Sequence, residues 1–168
     1  QCDAPQVPPP EELESDHDRW SRLAQEHPGK IEAPVLHPIE RRPVRQRDYF
    51  NPQPEEPQQQ VWVRALGNLG DDLCTHQTVL AFMSDFALLG TALMPHPYTG
   101  MSRNLQSASL DHALWFHRPF KADEYLLYCM DSPSAAGGRG FSRGVFYTRD
   151  GLLVASTAQE SLLRPLKN

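Results

Sequence analysis

The stretch at 73–94, LCTHQTVLAFMSDFALLGTALM, constrains this chain more than any other feature. Its spacing predicts one helix, with Val79, Phe82, Met83, Phe86 and Leu93 in helical register. Leu80, Leu88 and Leu89 fill the remaining sides, and Pro95 ends the run. A helix that is apolar nearly all round must be buried all round. Something has to surround it. A short strand-like segment, 61–66, precedes it, and four more follow at 105–117, 124–131, 139–149 and 152–164. Turns fall at Pro119 to Asp123, Pro133 to Gly138 and Asp150-Gly151, the last a strong hairpin signal. An antiparallel sheet curved around one central helix satisfies this order, so the expected class is α+β.

The first 60 residues read differently. They hold 11 of the 16 prolines and carry seven basic against 12 acidic side chains, which accounts for the whole net charge of −5. Such a segment buries little apolar surface against its ordering entropy. We expect an extended arm or linker over 1–60, with one polar helix at 11–26, and a folded domain over 61–168. The domain is electrically neutral, which argues against nucleic-acid binding. No run of 18 apolar residues exists to span a membrane. No signal peptide is recognisable, and the start at Gln1 suggests a partial or processed chain. Cys2, Cys74 and Cys129 have neither paired nor metal-ligand spacing, so a reducing compartment is expected and a zinc site is not.

Asp85 is the one formally charged side chain between Leu73 and Ser102. A carboxylate on a buried helix costs roughly several kcal/mol unless paired, and such groups gather at functional sites. Ser109 and Asp111 share one face of the predicted strand 105–117, with Ala108, Leu110, Leu114 and Phe116 on the core-like face. Gln159 lies near the end of the last strand, where spacing alone does not single it out. The Gly-rich loop 134–140 can turn backbone N–H groups and Arg139 towards an anion, or serve as a plain hairpin loop. GxGxxG is absent, so a Rossmann fingerprint is excluded.

The segment Ser109-Leu110-Asp111-His112-Ala113-Leu114-Trp115-Phe116-His117-Arg118-Pro119-Phe120 resembles the SLDHxxWFHxPF run of the acyl-CoA thioesterase II family. Met83-Ser84-Asp85-Phe86, Leu89-Gly90-Thr91-Ala92-Leu93, the strand opening at Arg139-Gly140 and the closing Ala158-Gln159-Glu160 are similar to that family too. Val7-Pro8-Pro9-Pro10-Glu11-Glu12-Leu13 resembles its interdomain segment. Members are double hotdogs, so the resemblance implies a C-terminal hotdog domain plus the connecting segment. It implies hydrolysis of acyl-CoA to fatty acid and CoA, without cofactor or metal. Asp85, Ser109 and Gln159 match the family's catalytic Asp, Ser/Thr and Gln, with Asp85 as general base and the other two holding the same water. CoA phosphates would meet Arg139, Arg143 or Lys121, chosen by charge and loop placement.

The implied partners are an acyl-CoA and either an N-terminal hotdog unit or further copies of this chain. The implied compartment is the peroxisome for a eukaryotic source and the cytoplasm otherwise, although the end Leu166-Lys167-Asn168 is not an SKL-type signal. The competing readings are a hotdog hydratase, which needs a helix His that only His76 offers, and a non-catalytic hotdog that binds acyl-CoA or braces a second domain.

Overall fold

The computed structural model describes residues 3–166; Cys2 and the Lys167-Asn168 end lie outside them. In chain order the elements are α1 (Asp16–Glu26), β1 (Ile39–Pro43), β2 (Gln58–Ala65), α2 (Leu73–Ser84), α3 (Leu88–Leu93), β3 (Leu105–Ser109), β4 (Ala113–Phe116), β5 (Leu126–Ala136), β6 (Arg139–Tyr147) and β7 (Leu153–Pro165). One antiparallel sheet runs β1-β2-β5-β6-β7-β3, with β4 also paired to β7. The architecture is a hotdog, a curled antiparallel sheet with helices on its inner face. None of the helices is long and apolar enough to cross a membrane among the described residues.

Leu80, Met83, Ala87 and Leu88 form the core with Val61, Val63, Leu126, Tyr128, Met130, Phe146 and Val154 from the sheet. Two glycines on β6 permit this close packing. A Cβ at Gly140 would come within 2.5 Å of Ala92 Cβ, and one at Gly144 would overlap the Tyr128 ring. The Asp150-Gly151 turn follows its sequence signal, with Gly151 at φ 86° and Thr148 N–H bonded to Leu152 O at 2.9 Å.

Four expectations are corrected. The single helix 73–94 is two, interrupted at Asp85-Phe86-Ala87. In an unbroken helix Ser84 O would accept from the N–H four residues on, but here the Tyr128 hydroxyl donates to it at 2.7 Å. The Ala87 carbonyl opens the next helix, accepting from Thr91 N–H and from Gln59 Nε2, both at 3.0 Å. Burial raises the Tyr128 pKa, so the hydroxyl keeps the proton it donates. Nor is the helix buried all round: Leu80 and Met83 face the core while Phe82 is 55% exposed.

The expected strand 105–117 is also two, because register slips between them. Ser109 pairs with Ser161, but Ala113 pairs with Ala158, so three intervening residues oppose two. That extra residue is a bulge, and it switches which parity faces inward. Ser109 and Leu114 therefore share the inner face, which the straight strand had assigned to Leu110 and Leu114 together. Leu114 packs on the core, whereas Leu110 is 50% exposed.

The third and fourth corrections concern the arm. Its helix begins at Asp16, capped by Ser15 Oγ accepting from Asp18 N–H at 3.1 Å, after a separate 3-10 turn at Pro10–Glu12. The arm also supplies edge strand β1, so the sheet begins at Ile39. Ala4, Val7 and Leu13 pack on Trp62, Leu127 and Tyr147, covering the outer face of the sheet. Trp62 Nε1–H donates to Pro8 O at 2.9 Å, and Arg149 grips Glu11 through two bonds of 2.7 and 2.8 Å. The segment is a strap. Cys129 lies partly buried in this outer cluster, its pKa pushed by burial to about 12, while Cys74 is exposed on α2.

Candidate active site

The break between α2 and α3 places Asp85 at a helix end rather than within a buried turn, and its carboxylate is exposed. The expected cost of burying this charge therefore does not arise. The bulge between β3 and β4 turns Ser109 towards it, and the Ser109 hydroxyl donates to Asp85 Oδ1 at 3.0 Å. Behind Ser109, on the inner face of β7, stands Gln159, whose Nε2–H donates to Ser109 Oγ at 3.0 Å. Residues from a helix end, a bulge and a distant strand thus meet in one line.

Gln159 was expected to touch the same water as Ser109, yet it is 0% exposed. β7 alternates strictly, and Ala155, Thr157, Gln159, Ser161 and Leu163 all point inward and are buried. Gln159 reaches the open side of the site through Ser109. Its Nε2 also lies 3.4 Å from Ser161 Oγ, a long and weak contact.

Sequence reasoning missed His112. Its Nδ1 lies 2.7 Å from Gln159 Oε1, and its Nε2 lies 2.7 Å from Ser84 Oγ. Ser84, in turn, is fully buried, with its Oγ 2.9 Å from Ala81 O. The available signal was chain position, since His112 sits three residues after Ser109 and one after Asp111. A straight strand would have turned it away from Ser109, and the bulge brings it round. Asp111 is occupied with the bulge itself, accepting the Glu160 N–H at 2.7 Å.

Phe82, Asp85, Phe86, Ser109, Leu110 and His112 line an open depression of about 450 Å³. Its lining is apolar at Phe82, Phe86 and Leu110 and polar at the Asp85–Ser109 pair and His112. Arg139, Arg143 and Lys121 do not line it. Each is held by an acid instead: Arg139 by Glu160 at 3.4 Å, Arg143 by Asp131 at 2.5 Å and Lys121 by Asp71 at 2.5 Å. His76, the helix histidine a hydratase would need, is buried with both nitrogens committed. Its Nδ1 accepts from Ala122 N–H, and its Nε2 contacts Gly70 O, both at 3.0 Å.

Known proteins resemble this chain over most of its length. The acyl-CoA thioesterase family model matches residues 30–162. Acyl-coenzyme A thioesterase 8 of Homo sapiens is 41% identical over 174 residues, covering 98% of this chain and 54% of its own length. Acyl-CoA thioesterase 2 of Haemophilus influenzae is 33% identical, covering 95% of this chain and 57% of its own length. Among solved structures, acyl-CoA thioesterase II TesB2 from Mycobacterium marinum superposes with a TM-score of 0.74 at 41% identity, covering 98% of this chain and 57% of that one. A protein with hot dog fold from Alicyclobacillus acidocaldarius, at 15% identity and TM-score 0.70, supports the fold alone. The chain spans little more than half the length of these relatives, and over that span it belongs to the acyl-CoA thioesterase family.

Proposed function

We propose that this chain carries the water-activating machinery of an acyl-CoA thioester hydrolase. One observation carries the reading: Asp85, Ser109 and Gln159, 50 residues apart at the second step, form a continuous chain of two 3.0 Å hydrogen bonds opening onto a partly apolar depression. The printed names of the relatives, acyl-CoA thioesterases of human and bacterial origin, support the substrate class.

In this reading Asp85 takes the proton of a water bound at the exposed side of the Asp85–Ser109 pair. Ser109 fixes the carboxylate by donating to it, and Gln159 holds Ser109 in turn. Orientation is what such a line supplies, because a water placed against a thioester carbonyl reacts far faster than one that wanders. Backbone N–H groups near the helix break meet the developing oxyanion. Phe82, Phe86 and Leu110 form the apolar wall for the acyl chain. For the CoA phosphates the candidates are Arg139, Arg143 and Lys121, each of which would exchange a carboxylate for a phosphate.

The site is open on its outer side, so a second hotdog unit, or another copy of this chain, completes it. Asp85→Asn in the intact natural protein should lower kcat by roughly two to four orders of magnitude, the usual cost of losing a general base. Release of free CoA thiol from a long-chain acyl-CoA measures it. Turnover near wild type in Asp85→Asn would discard the reading. Acyl-CoA binding without turnover in the wild-type protein would point instead to a non-catalytic hotdog.

A further inference from the structure

We infer that His112 is a positioning residue of the hydrolytic site: through a hydrogen on Nδ1 it locks the Gln159 amide in the orientation that keeps the Ser109 hydroxyl donating to Asp85. The inference rests on the function proposed above for Asp85 and Ser109. It follows from counting protons along four contacts.

An ionised carboxylate has no proton to share, so the 3.0 Å contact between Ser109 Oγ and Asp85 Oδ1 uses the single proton of Ser109. Ser109 can then only accept from its other neighbour. Gln159 must therefore present its NH2 group to Ser109, which turns its carbonyl oxygen towards His112. That oxygen has no proton either, so the 2.7 Å contact requires a hydrogen on His112 Nδ1. Nε2 faces Ser84 Oγ at 2.7 Å, and the Ser84 proton is already given to Ala81 O at 2.9 Å. Three bonds therefore point one way, from His112 through Gln159 and Ser109 to Asp85.

The reverse orientation fails at a definite place. With the amide flipped, Gln159 Nε2 would donate to His112 and Gln159 Oε1 would face Ser109. Ser109 would then give its proton to the amide oxygen, leaving two lone-pair-bearing oxygens of Ser109 and Asp85 facing each other at 3.0 Å. Gln159 is fully buried, and its other near neighbour, Ser161 Oγ, can donate or accept. His112 reads the amide at its oxygen end, as Ser109 does at its nitrogen end. The loop closes on itself because Ser84 and Asp85 are adjacent, so the imidazole also ties the bulge to the helix break.

The test compares His112→Ala, His112→Asn and Asp85→Asn in the intact protein by steady-state thioester hydrolysis, with melting temperature as a control. His112→Ala should lower kcat about 10- to 100-fold, with KM changed less than about twofold, as misorientation near the reacting group does. The Asn side chain can set an N–H close to where Nδ1–H stood, so His112→Asn should recover most of kcat. A merely structural histidine would give losses that follow melting temperature and no such rescue. In a His112→Ala/Gln159→Ala double variant, kcat should fall no lower than in Gln159→Ala, because both act through Ser109.

Wild-type kcat in His112→Ala, or His112→Asn as poor as His112→Ala, overturns the inference. Full turnover in Asp85→Asn instead overturns the proposed function, whatever His112 does. Imidazole 15N shifts decide the hydrogen-bond direction independently of any activity: a protonated Nδ1 supports it, and a bare Nδ1 refutes it.

Discussion

Two tryptophans on the same sheet have opposite fates. Trp62, on β2, is 5% exposed, with its indole N–H bonded to the arm and its ring beneath Val7 and Leu13. Trp115, on β4, is 51% exposed, beside half-exposed Leu110 and Phe116. At the Trp62 end the chain covers both faces of the sheet itself, with helices inside and the strap outside. At the Trp115 end it covers neither fully. The candidate site lies on the boundary, with Gln159 rooted in the closed part and Asp85 and Ser109 facing the open part. The order of a hydrogen-bonded relay comes from the closed end, while access comes from the open one.

The comparison can be broken most severely at Trp62. Trp62→Ala removes a buried indole and its bond to Pro8 O, and should cost about 3–5 kcal/mol of unfolding free energy. Denaturant unfolding measures it, and a cost below about 1 kcal/mol would mean that the strap is dispensable.

Next comes Gly144→Ala, where the new methyl overlaps the Tyr128 ring stacked on Phe146 at 3.9 Å. Overpacking of this kind costs about 1–3 kcal/mol. Because Tyr128 holds the Ser84 carbonyl, activity should drop more than stability alone explains. Unfolding and kcat measured on the same preparation separate the two effects.

The smallest stability effect belongs to Trp115→Glu, within about 0.5 kcal/mol for a surface change. Its effect should appear in assembly instead. Light scattering should show association in the wild type at micromolar concentrations, and its loss in Trp115→Glu. A wild-type chain that stays monomeric would remove the case for a partner on this face.

Periodicity made β6 and β7 legible to within two residues, because alternation and turn chemistry are local properties, but β5 runs on to Ala136 through most of the expected turn and β1 was missed. The helix was legible as a helix but not as two. Its interruption is imposed by Tyr128, a residue 44 positions beyond Ser84, and no local pattern announces it. The same holds for the bulge, where a period-2 reading carries straight through Leu110–His112 and puts the wrong side chains together. Asp85 drew notice for being a lone charge, and that notice proved useful although its premise of burial failed. Ser109 and Gln159 came from family resemblance alone. His112 came from neither, since a histidine in a strand becomes informative only once its two nitrogens have named partners. The strap was visible in composition, because a proline-rich run is extended and crosses a surface, but the edge strand β1 within it was not.

β7 has a consequence for how the molecule is made. It is the last strand in order, and among the described residues β3 and β4 pair only with it. As the chain leaves the ribosome from its N-terminus, residues 105–116 must wait, unpaired, until 153–165 emerge. Ser109 and His112 ride on those waiting segments, and Gln159 arrives with the strand that captures them. The candidate site therefore cannot exist on any nascent chain shorter than about the full sheet. Such long-range pairing is slow, so in the interval Leu110, Trp115 and Phe116 are the surface a chaperone would meet first.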